Sequence, residues 1–249
     1  MLRELLALWR KTDRLNKALE HFLNMIDRVE EMFTQATECL FGNVKWEDAA
    51  RAIYKTDTKV NKRERKVRKR LVEHLAINPR GDAPACLILM STSKDAERAG
   101  DYCKNLLDVA RMAKKSLGQS AYADELHEMR DMVSSTFALT REAFAEDDQT
   151  VAHEVIAEQQ RINRGSDAMV QKVASDETLD PNEAVCLALA FRFLKRVNAH
   201  LGNIASSVVM PLHKIDYFDE KMRTEKGDVA QPENTPEAVE DTAVEADED

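Results

Sequence analysis

The sequence predicts an all-α fold of two tandem three-helix bundles, with six long helices in total, followed by a disordered acidic tail. Side chains that lose little rotamer freedom in a helix are abundant, whereas aromatic residues make up only 6% of the chain and its 249 residues include 7 Gly and 6 Pro. Proline is absent before Pro79 and between Pro84 and Pro181, so long uninterrupted helices are permitted in both intervals. Apolar residues between Phe22 and Leu40 recur three and four positions apart, as on one face of a helix.

Five breaks separate the six predicted helices. Gly, Asn, Pro or acidic residues interrupt the apolar period at residues 41–43, 78–82, 117–120, 146–148 and 175–181. In the last break, Asp180 is expected to cap the sixth helix and Pro181 to occupy its first turn.

The breaks also define the predicted domains. Residues 1–118 form the first bundle, residues 119–220 the second, and residues 221–249 the tail. The tail is strongly acidic: residues 225–249 contain ten acids and one lysine, which equals the net charge of −9 of the whole chain. Since the rest is balanced, its total charge favours neither nucleic acid nor an anionic membrane. We therefore expect no nucleic-acid partner, and peripheral contact with a membrane at most.

Two further features suggest a reduced, cytoplasmic protein. The four cysteines are far apart without a CxxC pair, so they are expected to be small buried hydrophobic residues rather than zinc ligands. The N-terminus has no secretory cleavage signal, and the longest later apolar run, residues 184–191, is much shorter than the roughly 20 residues that span a bilayer.

The two predicted bundles resemble each other in sequence. Equivalent residues are separated by 104 positions in the first helices, by 102 in the second and by 98 in the third, which indicates an internal duplication. The pairs that show these offsets are Met25, Val29 and Phe33 with Met129, Val133 and Phe137, Val60 and Asn61 with Ile162 and Asn163, and Arg98 and Asn105 with Arg196 and Asn203.

A pair of carboxylates in the third helix is the main candidate site. Glu97 and Asp101 are four residues apart and therefore lie on one face, where they repel each other unless a cation lies between them. A metal ion is one such cation, because hard metals prefer oxygen ligands, and Asp57 and Glu64 of the second helix are candidate additional ligands. The alternative is a solvated, salt-bridged face with Lys94, Arg98 and Lys104 within reach.

These helices resemble the PhoU family of phosphate-uptake regulators. Residues 97–105, Glu-Arg-Ala-Gly-Asp-Tyr-Cys-Lys-Asn, resemble the family's Glu-Arg-x-Gly-Asp-x-x-x-Asn signature, and residues 57–64 resemble its Asp-x-x-Val-Asn-x-x-Glu stretch. Residues 195–205 resemble a degraded second copy of the signature. The resemblance extends over roughly residues 12–220 and includes the duplication.

The resemblance implies both a metal site and a function. Acidic patches of this family bind iron, zinc or related ions in multinuclear clusters, which implies a divalent or ferric ion or cluster (Fe, Zn, Mn, Ni or Mg) in the first bundle. Lys195 and Ala199 replace the carboxylates in the second copy, so no metal is expected there. The implied function is a non-enzymatic, cytoplasmic regulator of inorganic phosphate uptake and homeostasis. Its implied partners are a phosphate transporter or a sensor histidine kinase, and a second copy of the chain in a homodimer.

Two other classes of function compete with this interpretation. One is a helical metal-binding, storage or scaffold protein without a role in phosphate transport. The other is a carboxylate-bridged oxidoreductase, which the sequence disfavours because such enzymes use Glu-x-x-His pairs and only Asp124-x-x-His127 has this spacing. No catalytic residue is predicted, since the chain has neither a nucleophile elbow nor a phosphate-binding glycine loop. The cationic run from Lys62 to Arg70 is either a solvated helix face or a binding surface for phosphate groups or an acidic partner.

Overall fold

In the computed structural model, six long helices make up most of residues 13–77 and 82–215, which are the residues that the structure describes. Two short 3₁₀ turns, Leu117–Gln119 and Leu212–Lys214, accompany them. The predicted acidic tail and part of the predicted break at residues 78–82 lie outside the described residues. The helices are α1 (Asp13–Leu40), α2 (Trp46–Ile77), α3 (Ala83–Met112), α4 (Ala123–Glu146), α5 (Gln149–Ala174) and α6 (Pro181–Val209).

The helices form the two predicted bundles. Helices α1, α2 and α3 pack against one another, and so do α4, α5 and α6. The apolar core is one cluster that extends through both bundles, and its largest fully buried side chains include Phe22 and Phe33 in the first bundle and Phe137, Phe144 and Phe191 in the second. The all-α class and the six-helix duplication are thus confirmed. The exact domain boundary at residue 118 stays a prediction.

Glycine ends the first helix. Gly42 has a φ of 81°, in the left-handed region that glycine adopts at little cost. This conformation lets the N–H of Gly42 donate to the carbonyl of Cys39 (3.0 Å) and the N–H of Asn43 donate to the carbonyl of Glu38 (2.9 Å). The last carbonyls of α1 are thereby satisfied, at the break predicted for residues 41–43.

The third helix ends earlier than the predicted break at residues 117–120. It stops at Met112, because Asn182 from the start of α6 binds the backbone there. The Asn182 side chain donates from Nδ2 to the Met112 carbonyl (3.0 Å) and accepts at Oδ1 from the N–H of Lys114 (3.0 Å). A contact from 70 residues away thus competes with the last turn of the helix, and local sequence does not reveal it.

The later helix boundaries agree with the predictions. Asp147 ends α4 with a positive φ of 54°, and the side chain of Asp148 caps α5 by accepting from the N–H groups of Thr150 and Val151. Asp180 accepts from the N–H of Asn182 (2.7 Å) at the start of α6, and Pro181 is its first residue.

The two bundles contact each other through α1 with α4 and through α3 with α6. Along the first pair of helices, ring centroids lie 4.7 Å apart for Phe22 and Phe144 and 5.4 Å apart for Phe33 and Phe137. Near its end, Phe41 stacks on His127 at 3.7 Å. The partner's residue number falls as the α1 residue number rises, so the two helices run antiparallel.

The four cysteines are residues of the buried core. Cys39, Cys86, Cys103 and Cys186 are free and buried, as predicted for small hydrophobic residues. Burial raises the pKa of the Cys86 thiol to about 11 and raises the pKa of Cys103 as well. Buried thiols that stay protonated are poor nucleophiles and poor metal ligands.

None of the helices within residues 13–77 and 82–215 combines the length and apolarity that a membrane span requires.

Candidate functional site

Lys104 connects the candidate carboxylates of α2 and α3. Its ammonium lies 2.7 Å from Asp101 Oδ1, one turn back on α3, and 2.9 Å from Asp57 Oδ1 on α2. Asn61 donates from Nδ2 to the other oxygen of Asp57 (3.1 Å). Partial burial lowers the pKa of Lys104, but the hydrogen bonds to Asp101 and Asp57 outweigh this effect and the net shift is upward. The lysine therefore binds both carboxylates as a cation.

The other two predicted ligands each bind a separate cation. Glu97 forms an ion pair with Lys94, one turn earlier on α3. Glu64 is buried and lies 2.6 Å from the guanidinium of Arg68 on α2. Thus two of the four predicted ligands, Asp57 and Asp101, come together, and the other two are engaged by neighbours on their own helices.

This arrangement does not form a metal-ligand set. Within residues 13–77 and 82–215, no three His, Cys, Asp or Glu side chains are grouped so that they could hold one ion. Between Asp57 and Asp101, the position of a bridging cation is occupied by the Lys104 ammonium. A metal ion here requires Lys104 to move away, and the metal site stays a prediction.

The second bundle has different chemistry at the equivalent positions. Lys195, which replaces Glu97, forms an ion pair with Asp167 of α5 at 2.7 Å. Asp124 and His127 do not form a di-iron motif with other described residues. The ring of His127 stacks on Phe41, and its Nδ1 lies 3.2 Å from an Arg130 nitrogen.

An open cleft of about 590 Å³ lies beside Lys104 and Asp101. Arg98 is exposed there, and Tyr54 is 48% exposed, which is unusual for a large aromatic side chain. No carboxylate lies within ion-pairing distance of Arg98 among the described residues. The lining residues are Tyr54, Arg98, Asp101, Tyr102, Lys104, Asn105 and Asp108.

A buried polar cluster joins α3 to α6 between the two bundles. Asp95 is only 7% exposed, and its Oδ1 accepts hydrogen bonds from His200 Nδ1 (2.9 Å) and Asn203 Nδ2 (3.0 Å). On the other edge of the His200 ring, Nε2 is buried without a hydrogen-bond partner among the described residues. These bonds fix the position of α6 against α3.

Tyr102 adds two further contacts between α3 and α6. Its ring stacks on His200 with centroids 5.5 Å apart, and its hydroxyl accepts a hydrogen bond from Arg196 Nε at 3.1 Å. The sequence motifs did not single out Asp95. One pattern could have indicated its burial. Asp95 shares a face of α3 with Thr92 and Ala99, which are small and uncharged.

The fold and the site together define a duplicated helical-bundle protein. It contains two copies of one three-helix unit, and the third helix of the first copy carries the acidic residues Glu97 and Asp101. The PhoU domain model matches the chain twice, over residues 22–110 and 126–208. The two matches cover most of the chain and coincide with the two bundles, so this chain belongs to the PhoU domain family.

Solved structures share this fold. The phosphate transport system regulatory protein PhoU from Streptococcus pneumoniae aligns with a TM-score of 0.69 and 20% identity, over 78% of this chain and 92% of that chain. PhoU from Pseudomonas aeruginosa aligns with a TM-score of 0.71 and 22% identity, over 80% of this chain and 97% of that chain. Among curated proteins, none matches this chain significantly.

Proposed function

We propose that this chain is a non-enzymatic regulator of inorganic phosphate uptake that acts in the cytoplasm by binding a phosphate transporter or its sensor histidine kinase. The observation that carries the proposal is the pair of PhoU domain matches, each of which covers one bundle. The similar S. pneumoniae protein is named a phosphate transport system regulatory protein.

The cleft beside Lys104 is the surface we propose for this contact. Tyrosine and arginine are the side chains that most often dominate binding energy at protein interfaces. Tyr54 and Arg98 are both exposed at this cleft. Asp101 adds a half-exposed carboxylate beside them. The partner surface is therefore expected to present an acidic group for Arg98 and an apolar patch for Tyr54.

Co-purification tests the proposal. The full chain, tagged in its native host, should retain the phosphate transporter or the sensor kinase, and Tyr54→Ala combined with Arg98→Ala should lose that partner. Arg164→Ala is a matched control, because Arg164 is an exposed arginine of the second bundle. Retention by the control and loss by the double variant support the proposal. The same yield from all three proteins, or recovery of neither partner by the parent, contradicts it.

A further inference from the structure

The exposed face of α2 is strongly cationic. Between residues 59 and 70, α2 carries eight Lys or Arg and a single acid, Glu64. Glu64 is buried and forms an ion pair with Arg68, so it leaves the outer face without a carboxylate in this stretch. Lys62, Lys66 and Lys69 follow each other at four and three residues and therefore share one face.

Most of these cations have no carboxylate partner. Lys55, Lys62, Arg65 and Lys66 are all exposed, and no carboxylate lies within ion-pairing distance of them in residues 13–77 and 82–215. Only Lys69 on this face is paired, with Glu73 at 3.7 Å. The electrostatic effect of these cations extends to His21 on α1. Burial lowers the pKa of His21, and Lys66, Arg70 and Arg63 lower it further.

Two exposed aliphatic side chains follow toward the helix end, one on either side of this face. Val72, three residues after Lys69, is 59% exposed, and Ile77 at the end of α2 is 63% exposed. From Lys55 to Val72 the face extends about 26 Å at the rise of an α-helix. Clusters of Lys and Arg on a helix are typical of surfaces that bind anionic lipid headgroups, and exposed aliphatic side chains beside them add apolar contact with the lipid.

We propose that this face of α2 docks on a membrane surface rich in anionic phospholipids. The lysines and Arg65 contact the lipid phosphates, and Val72 and Ile77 enter the boundary between headgroups and acyl chains. A free polyanion would neutralise the cations but leave both aliphatic residues in water, whereas a lipid layer covers them as well. The proposal goes beyond the regulation of phosphate uptake and can fail independently of it.

Vesicle binding by the full chain tests this proposal without any transporter. Cosedimentation is expected with vesicles of phosphatidylcholine mixed with phosphatidylglycerol, and not with phosphatidylcholine alone. Binding should fall as the salt concentration rises. The variant Lys62→Glu with Lys66→Glu should lower the partition coefficient roughly tenfold or more, since each cation near an anionic surface contributes several-fold.

Two further variants complete the test. Lys114→Glu with Lys115→Glu makes the same charge change at exposed lysines after α3 and should bind like the parent. Val72→Ser with Ile77→Ser should weaken binding and leave its salt dependence unchanged. Far-ultraviolet circular dichroism verifies that each variant is folded.

Four results would overturn the proposal. One is equal binding to neutral and anionic vesicles, and another is an equal loss in the control variant. The third is binding to a poly-glutamate peptide without binding to anionic vesicles, which identifies an acidic protein as the occupant. Inorganic phosphate at matched ionic strength should release the protein no better than chloride, and selective release by phosphate would also contradict a lipid surface.

Discussion

Tyr102 and His200 stack on each other with ring centroids 5.5 Å apart and ring planes 24° apart, although they occupy equivalent positions of the two repeats, 98 residues apart. Phe33 and Phe137, equivalent residues of the first helices, also contact each other, at 5.4 Å. A residue meets its own equivalent only close to the axis that relates two copies. The two pairs therefore mark a pseudo-twofold axis between the bundles.

The neighbours of this axis differ in chemistry. Asp95 binds His200 on one side, whereas its equivalent Phe193 packs against Tyr102 on the other, with centroids 6.0 Å apart. The duplication has thus kept the geometry of the interface while one half became polar and the other aromatic.

Asp95 is predicted to be important for stability. Asp95→Ala removes the acceptor of His200 and Asn203 and leaves the buried His200 and the part-buried Asn203 without this partner, so the free energy of unfolding should fall by about 2–3 kcal/mol. Asp101→Ala, which removes a half-exposed carboxylate of the same helix, should cost about 1 kcal/mol or less. Urea denaturation measures both values. Equal losses would show that the buried cluster does not stabilise the interface.

Gly42 is predicted to tolerate no side chain. Its φ is positive, and a Cβ atom there would lie 2.7 Å from Ser116 Oγ, so Gly42→Ala should destabilise the protein by about 1–2 kcal/mol. At Gly165 the nearest atom to an added Cβ is Met129 Cε at 3.5 Å. Gly165→Ala should therefore be neutral or stabilising by up to about 1 kcal/mol. Thermal unfolding distinguishes the two variants, and an equal melting temperature for both would contradict this assignment.

The cationic residues of α2 are predicted to contribute to the lowered pKa of His21. The pKa of His21 is lowered by burial and then by Lys66, Arg70 and Arg63. Because the unfolded chain takes up this proton at higher pH than the folded one, His21 lowers stability as pH falls below about 6.5, until the folded pKa is passed. NMR titration should show a higher His21 pKa in Lys66→Ala and no change in Lys115→Ala. An unchanged His21 pKa in Lys66→Ala would show that Lys66 does not contribute to it.

The predicted metal site can be tested by elemental analysis. If Fe, Zn, Mn, Ni or Mg binds in the first bundle, the protein should retain it after dialysis, and Glu97→Ala with Asp101→Ala should lose it. Lys104→Ala should bind more tightly, since it frees the position between Asp57 and Asp101. Asp131→Ala with Glu142→Ala, on α4, is the control. Absence of metal from the parent and from Lys104→Ala would disprove the site.

Local sequence patterns predicted the fold well and the site less completely. Helix ends that depend on their own residues, such as Gly42 and Asp180, were predicted, because capping and left-handed turns are local properties. The end of α3 was not, since Asn182 from another helix binds its last carbonyl.

The candidate site also depends on contacts that local sequence does not reveal. The spacing of Glu97 and Asp101 predicted that both lie on one face of a helix, and both are residues of α3. However, spacing along one helix does not reveal that Lys104 reaches across to Asp57, 47 residues away. Nor does it reveal that Asp95 is buried against His200, 105 residues away. Both contacts depend on how the helices pack.

Phosphate uptake in cells tests the proposed function most directly. Labelled phosphate uptake should be measured at low and high external phosphate in the native host, in a strain that lacks this chain, and in that strain complemented with the parent protein. Uptake should lose its dependence on external phosphate without the chain and regain it on complementation. Unchanged dependence in the deletion strain would contradict the proposal that this protein regulates phosphate uptake.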